Sequence, residues 1–486
     1  WVALGYTVLQ KVLLLWRETF AFTTGPTAAY RNVSLASEVT PEYLGVGYII
    51  GPRIAGIMVS GSVLSWLALI PLLSMFVPDA TVHADLRNLG LTQEWINSNP
   101  PSAWFYRAYI RYIGAGAVAM AGLMTLLRTL PVIFSSVRDS LRDMRGSAAA
   151  SAGAKRTERD LPISWVAIGA LILVLIIAFL PNLPTGGFPS SLLTAFLILI
   201  FGFFFVAVSS RIVGLIGSSS NPISGMTIAT LLGTTLLFLA LGLGGDLYQS
   251  AALCVGSIVC IAAANAGATS QDLKTGYLVG ATPIRQQIGL LIGVLASVAV
   301  IALTLLALHN SAYGPIGGER LPAPQGTLMA VIIQGVLSQN LPWGFIFVGA
   351  ALAVVVQLCG VSGLAWAVGA YLPISTTFPI FIGGAMRWVS DWLRERKGEA
   401  PAAGESELSS GMLFSTGLVA GGAISGLLVA ILISSETFAP FLTAVGFGRD
   451  LNLLGIFGGA APWSALVMFA VLCVMLIRRS MKKLEI

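Results

Sequence analysis

Long apolar runs alternate with short polar segments along the whole chain. No Asp, Glu, Lys or Arg occurs in residues 161–210, 212–245 or 321–386, which hold little besides apolar residues and short polar turns. A helix needs about 20 mostly apolar residues to cross a bilayer, so we expect roughly ten to twelve crossings. The pattern therefore predicts an all-α, polytopic membrane protein whose 486 residues form a single membrane domain.

Composition supports this interpretation and gives the chain an orientation. Apolar residues make up 56% of the chain and charged residues 10%, with a mean hydropathy of +0.86, whereas soluble proteins carry about 25% charged residues. The net charge of +6 does not indicate nucleic-acid binding, because the basic residues cluster beside apolar runs. Positive residues favour the cytoplasmic side. We therefore expect three cytoplasmic segments: the linkers 138–161 and 387–409 and the tail 478–486.

The first clear run, 43–78, is interrupted by Gly51-Pro52 and holds one charged residue, Arg53. An ionisable residue within a span is a functional candidate by default, and a guanidinium group suits a carboxylate ligand. We therefore predict that Arg53 binds a solute. The alternatives are that its side chain reaches to the membrane surface or pairs with Glu42.

Residues 218–227 have the sequence Ser-Ser-Ser-Asn-Pro-Ile-Ser-Gly-Met-Thr and form a polar break between two apolar runs. Lipid offers no partners for freed backbone groups, so such a break must be buried in protein or line a cavity. In one interpretation Asn221, Ser224 and Thr227 bind a solute at the N-terminus of a discontinuous helix, which favours a carboxylate. In the other, Asn221 caps an ordinary helix that begins at Pro222.

A second break is predicted at Tyr371-Leu372-Pro373, because a proline frees backbone groups inside an apolar run. Tyr371 is therefore a further candidate for solute binding. The stretch 325–388 must also cross the membrane an odd number of times to reach the basic linker that follows it. We accordingly predict a short or tilted helix over residues 327–337.

Three charged residues at span ends, Asp246, Asp272 and Lys274, are candidates for a gate or for ion coupling. Asp272 and Lys274 would pair on the cytoplasmic side; the alternative is that all three are solvated loop residues. The four cysteines lack metal-ligand spacing, so we predict no metal site and no cofactor. The chain also contains no Gly-Lys-Ser/Thr phosphate loop, which argues against a nucleotide-driven protein.

Several motifs together resemble the oligopeptide transporter (OPT) family, in particular its prokaryotic branch, which is related to the yellow stripe-like metal-chelate transporters. They keep a family-like order across nearly the whole chain. The motifs are Gly45–Arg53, Tyr112–Gly116, Asn221–Thr227, Gln271–Gly276, Gly280–Pro283 and Gly369–Ser375.

The resemblance implies secondary active uptake, usually proton-coupled, of short peptides or, in the yellow stripe-like branch, of metal chelates. It implies a multi-pass protein of the bacterial inner membrane with a cytoplasmic C-terminus, whose partners are the cargo, protons and lipid. Many members carry an acidic residue where this chain has Ala268, which questions a coupling role for that position. Family members also carry spans ahead of the point where this chain starts, at Trp1, so missing N-terminal spans are an open question.

Two other classes of protein are alternatives to a secondary transporter. An intramembrane enzyme needs paired acids, a Ser/His pair or a metal cluster within spans, and the sequence offers none of these. A passive channel is left open, because a polar break can also form a filter. The sequence does not decide whether the chain forms a homo-oligomer.

Overall fold

The computed structural model describes residues 1–12, 15–25, 30–147, 155–180, 187–216, 221, 223–310, 315–318, 323–338, 342–398, 409–434 and 461–482. Its regular elements are helices and one antiparallel hairpin of the strands β1 (Thr19–Thr23) and β2 (Ser34–Glu38). The first nine helices are α1 (Val2–Thr7), α2 (Pro41–Val63), α3 (Ile70–Phe76), α4 (Asp79–Asn88), α5 (Gln93–Ser98), α6 (Pro101–Phe105), α7 (Arg111–Ser147), α8 (Ile163–Phe179) and α9 (Phe188–Ile216). The remaining ones are α10 (Ile223–Ala240), α11 (Asp246–Leu278), α12 (Pro283–His309), α13 (Pro324–Ser338), α14 (Trp343–Leu358), α15 (Gly363–Tyr371), α16 (Ile374–Arg396), α17 (Ser410–Ser434) and α18 (Ala461–Ser480). Single wider helical turns cover Val8–Val12, Leu64–Leu69 and Tyr106–Ile110, and a short 3-10 turn covers Arg156–Glu158.

The prediction of an all-α polytopic membrane protein is confirmed. Seven helical segments among the described residues are long and apolar enough to cross a bilayer, and three further apolar helices are shorter. One of the shorter helices, α13, begins at Pro324 and ends at Ser338, where the sequence predicted a short helix over 327–337. The number of crossings, ten to twelve, stays a prediction.

The chain divides into two compact units. Unit 1 contains residues 1–118, 305–323 and 343–486, and unit 2 contains residues 119–304 and 324–342. The single membrane domain expected from the sequence stays a prediction. Two of the predicted linkers start as helix, because α7 continues to Ser147 and α16 to Arg396. Residues 148–154, 399–408 and 483–486 of the predicted cytoplasmic segments lie outside the described part of the chain.

Helix α2, in unit 1, reverses its direction at Gly51. This residue has φ 83° and ψ 169°, a conformation that glycine tolerates and that interrupts a helix, and Pro52 follows it. Along α2, the contacted residues of the α15–α16 segment first shift toward the C-terminus of α16 and then shift back toward α15. In chain order they are Gly47 with Ile380, Gly51 with Arg387, Ala55 with Gly384, Ser62 with Thr377 and Ser65 with Ala370.

Helix α2 is therefore a helical hairpin with a short arm, residues 41–50, and a long arm that starts at residue 52 and continues into α3. The apolar run 43–78 was predicted as an interrupted run, and the structure turns that run back on itself. At 1.5 Å per residue the short arm is about 15 Å long, which is half the thickness of the hydrocarbon core.

Glycines allow the backbones of α2 and α16 to touch. A Cβ atom added to Gly47 would overlap the carbonyl group of Ile380, and one added to Gly383 would overlap the carbonyl oxygen of Leu44. A Cβ atom on Gly384 would lie 2.7 Å from the Cβ of Ala55. Small residues promote helix association in membranes because they permit this close approach.

Two further features of unit 1 bear on its site. The segment α3–α6 packs around a buried cluster that includes Ile70, Leu86 and Phe105, and the Tyr109 hydroxyl donates a 2.6 Å hydrogen bond to Asp85. The N-terminal helix α1 packs on α17, so both ends of the described chain meet the same bundle.

Unit 2 is organised around α9, α10 and α11, which share one apolar core. Phe238 and Val255 are fully buried there, and Leu231 fills the space beside Gly256. Helix α12 differs, since it contains no buried residue. Its apolar side chains are exposed on all sides, as expected for a helix whose surroundings include lipid.

The α2–α16 contact predicts a large effect of one methyl group. We expect Gly47→Ala to lower the free energy of unfolding by about 1–3 kcal/mol, because the added Cβ atom must displace the Ile380 backbone. Thermal unfolding of the detergent-purified protein measures this. Gly56→Ala is the matched control, because no heavy atom lies within 4 Å of the added Cβ atom. Equal stability of the two variants would contradict this packing.

Candidate functional site

The break predicted at Tyr371-Leu372-Pro373 is present in unit 1. Helix α15 ends at Tyr371, Leu372 (φ −75°, ψ 150°) and Pro373 (φ −57°, ψ 144°) are extended, and α16 begins at Ile374. A helix that stops leaves its last four carbonyl groups without intrahelical partners. Inside a membrane protein these groups must find donors within the protein or in water.

Every one of those four carbonyl groups has a donor. The Leu372 amide donates to the Val368 carbonyl at 2.9 Å. Three hydroxyl groups from other segments serve the rest: Ser62 donates to Gly369 at 2.6 Å, Ser65 to Ala370 at 2.8 Å and Tyr106 to Tyr371 at 2.7 Å. Ser62 also accepts a 2.7 Å hydrogen bond from Thr377 in α16, so it joins both sides of the break.

Tyr371 itself is buried at the break. Its side chain is 4% exposed, and Arg111 interacts with its hydroxyl group. The Nε of Arg111 is buried and has no hydrogen-bond partner among the described residues. Tyr371 is therefore held by the protein, and a guanidinium group that the sequence analysis did not select lies next to it.

The start of α16 is tied to strand β2. The Ser375 hydroxyl donates a 3.0 Å hydrogen bond to Oε1 of Glu38. The N-terminus of a helix carries a partial positive charge that a carboxylate stabilises. Glu38 was not selected from the sequence, because it precedes the first clear apolar run and no local pattern pairs it with residue 375.

The carbonyl groups just before the Gly51 reversal also have a hydrogen-bond donor. Arg387 of α16 donates from Nη1 to the carbonyl groups of Ile49, at 2.9 Å, and Tyr48, at 3.4 Å. Arg53, which the sequence selected, is exposed two residues beyond the reversal. Its role in binding cargo stays a prediction, and the described hydrogen bonds and ion pairs include none between Arg53 and Glu42.

In unit 2 the side chain of Asn221 is hydrogen-bonded to helix α9. Its Nδ2 donates to Ser209 at 2.7 Å, and the Ser209 hydroxyl donates to the carbonyl group of Ala263 in α11. Its Oδ1 is buried and has no partner within the described residues. Residues 217–220 and 222 lie outside the described part of the chain, so the predicted cap over Pro222 is untested.

The other two residues predicted at this break differ from each other. The Thr227 hydroxyl donates to the carbonyl group of Ile223 at 2.9 Å, so it is used within its own helix. Ser224 is exposed and remains accessible to a ligand.

An open groove of about 920 Å³ lies in unit 2 between α11 and α12. Its polar lining consists of one carboxylate, two amides and two hydroxyls, and the rest of its lining is small or apolar. The polar residues are Asn265, Asp272, Thr275, Gln286 and Ser297. Ala268, noted above for its missing carboxylate, also lines this groove.

The predicted gate and coupling residues separate in the structure. Asp272 lines the groove, whereas the Lys274 ammonium lies 6.0 Å from the ring centre of Tyr277. Residues two apart on a helix do not face each other, and Asp272 and Lys274 form no ion pair in the described structure. Asp246 is exposed at the first position of α11, where its charge favours the helix N-terminus.

Broken helices whose freed backbone groups are satisfied inside an apolar helical bundle are typical of membrane transport proteins. Residues 8–433 match the family model of the OPT oligopeptide transporter proteins. A Haemophilus influenzae protein provisionally named an oligopeptide transporter is 30% identical over 468 residues, which cover 88% of this chain and 70% of that protein. A Saccharomyces cerevisiae protein with the same provisional name is 29% identical over 196 residues, 37% of this chain and 26% of that protein.

The chain belongs to the oligopeptide transporter family, as the sequence motifs predicted. It is a multi-pass integral membrane protein of a family of transporters.

The α15–α16 break generates a stability prediction. Ser65→Ala should lower the free energy of unfolding by about 1 kcal/mol or more, because the buried Ala370 carbonyl loses its side-chain donor. The control is Ser60→Ala, since the Ser60 hydroxyl is exposed and bonds only to Ile57 of its own helix. Thermal unfolding in detergent compares the two, and an unchanged melting temperature of Ser65→Ala would refute the role of this hydroxyl.

Proposed function

We propose that this protein is a proton-coupled secondary transporter that imports short peptides. Membership of the oligopeptide transporter family supports the transport class, and the names of the relatives support peptides as cargo. The observation that carries the proposal is the groove between α11 and α12, because its polar groups match the chemistry of a peptide backbone.

The groove offers a single charge, the carboxylate of Asp272, together with amide and hydroxyl groups. A peptide brings an α-ammonium group and repeated N–H and C=O groups. We assign Asp272 to the ammonium group of the cargo, and the side chains of Asn265, Gln286 and Ser297 to its backbone. The groove volume of about 920 Å³ lies within the range of small-molecule sites.

The residues predicted to bind cargo are proposed with different roles. Ser224 and Arg53 are exposed and are proposed to bind cargo directly; Asn221 is proposed to do so through its unpaired Oδ1, which is buried in this conformation. Thr227 and Tyr371 already serve the protein and are proposed to shape the breaks. Lys274 and Asp246 are proposed to be solvated residues at helix ends. The gate function predicted for them from the sequence is the alternative.

The proposed location is the bacterial inner membrane, with the C-terminus in the cytoplasm. Arg478, Arg479 and Lys482 support this orientation, because α18 ends in a basic cluster.

Uptake into proteoliposomes tests the function. The purified full-length protein is supplied with radiolabelled dialanine, trialanine or tetraalanine under an imposed proton gradient. We expect accumulation above the external concentration that collapses when a protonophore is added. Downhill flux that ignores the gradient would indicate a channel, and uptake of iron(III)-desferrioxamine without peptide uptake would indicate a chelate transporter; either result would overturn the proposal.

The groove generates a specific prediction for cargo affinity. Asp272→Asn should weaken trialanine binding at least ten-fold, about 1.4 kcal/mol, because the ammonium group loses its charged partner. Asp246→Asn is the matched control, a carboxylate of the same helix that lies outside the groove. Competition of unlabelled trialanine against the labelled peptide gives both affinities. If the two variants bind alike, the ammonium assignment is wrong.

A further inference from the structure

The hydrogen bond between Ser375 and Glu38 joins the strand hairpin to the second residue of α16, immediately beyond the α15–α16 break. It spans 337 residues of sequence, and its length is 3.0 Å. Strand β2 ends at Glu38, and three residues later Pro41 begins α2, the helix that contains Ser62, which binds a carbonyl group at the end of α15. Glu38 is therefore connected to the break from both sides.

A buried acceptor without a partner lies near Glu38. Gln10 is 2% exposed, and its Oε1 has no hydrogen-bond partner in the described structure. The amide of Gln10 donates at 3.2 Å to the carbonyl group of Val39, next to Glu38. Oε2 of Glu42 is also buried and unpartnered. A proton added to the Glu38 carboxyl group turns one of its acceptor oxygens into a donor, which unpartnered acceptors nearby favour.

The charges that face Glu38 are few. Glu18 and Glu42 oppose its ionisation and Lys11 favours it, while Lys11 is itself bound to Glu18 at 2.9 Å. Tyr43 is the other titratable group nearby. The elements packed against β2 add no further charge: strand β1, the turn Leu64–Leu69 and the part of α16 up to residue 386 contain no ionisable side chain.

Burial raises the pKa of Glu38 above that of an ordinary glutamate, and the Ser375 hydroxyl partly opposes this rise. The raised pKa moves the titration of Glu38 toward neutral pH. When ionised, Glu38 accepts a charge-assisted hydrogen bond, which is about twice as strong as a neutral one. Protonation therefore weakens the connection between β2 and α16.

We propose that Glu38 is the proton-binding residue of this transporter, and that its protonation releases Ser375 and loosens the α15–α16 break. The proposal rests on the proposed function, since it names the residue that couples protons to transport. A proton from the aqueous phase adds to a carboxylate oxygen of Glu38 and leaves again after the conformational change, so no other reactant is needed.

Glu38→Gln mimics the protonated residue and tests the proposal by transport. With trialanine as the probe, we expect uphill uptake driven by a proton gradient to fall at least ten-fold. Exchange of labelled for unlabelled trialanine without a gradient should stay within about three-fold of the natural protein, since exchange needs no net proton transfer. Glu18→Gln is the matched control, a carboxylate of the same neighbourhood that is paired with Lys11, and it should keep both activities.

A second measurement does not depend on cargo. An acid whose pKa is raised by folding stabilises the protein below its unfolded pKa, and this contribution is lost as the pH rises through the folded pKa. As the pH rises through the raised pKa of Glu38, the melting temperature of the natural protein should therefore fall more steeply than that of Glu38→Gln. Ser375→Ala keeps the carboxyl group and removes a donor to its ionised form, so it should raise the Glu38 pKa and shift the pH midpoint of uptake upward.

The outcomes separate the two proposals. If the natural protein does not accumulate trialanine, the proposed function fails, whereas a normal proton-driven uptake by Glu38→Gln overturns the role of Glu38 alone. Equal pH dependence of the melting temperature in the natural protein and Glu38→Gln also overturns it. If Glu38→Gln does not fold, an unshifted pH midpoint in Ser375→Ala decides against the proposal.

Discussion

The backbone of a helix that stops within an apolar bundle must find its hydrogen bonds inside the protein, and much of unit 1 depends on this constraint. Three hydroxyl groups, from Ser62, Ser65 and Tyr106, bind the carbonyl groups that end α15. Their reach requires that α2 lie directly against α15 and α16, which in turn requires glycine at the points of contact. The carbonyl groups at the break are therefore all hydrogen-bonded, and its position is set by side chains that are distant in sequence.

The sequence predicted the class of protein and the location of both interruptions in unit 1, because their causes are local. Long apolar runs are a property of composition, and Pro52 and Pro373 interrupt a helix wherever they stand. The direction that the chain takes after each interruption is not determined by the local sequence. Glycine at position 51 permits a positive φ without requiring it, so the reversal of α2 could not be read from the pattern.

The same limit explains which site residues the sequence analysis selected. It favoured charges inside apolar runs, and so it chose Arg53. Arg387 lies one residue beyond an apolar run, where a basic residue is ordinarily explained by membrane orientation, although its guanidinium group binds the carbonyl groups before Gly51. Asp272 and Lys274 were paired because they are close in sequence, but their separation of two residues directs them to different sides of α11. The pairing of Ser375 with Glu38 cannot be predicted from local sequence, because the two residues are 337 positions apart.

The unequal arms of α2 have a consequence for water. The long arm, continued by α3, is long enough to cross the hydrocarbon core, whereas the short arm covers about half of it. Ser62 lies well inside the long arm and bonds to Thr377, two residues from the partner of Glu38, so strand β2 ends at a similar depth. Lipid cannot satisfy the open edges of a two-stranded hairpin. The edges of the strand hairpin must therefore face protein or water rather than lipid.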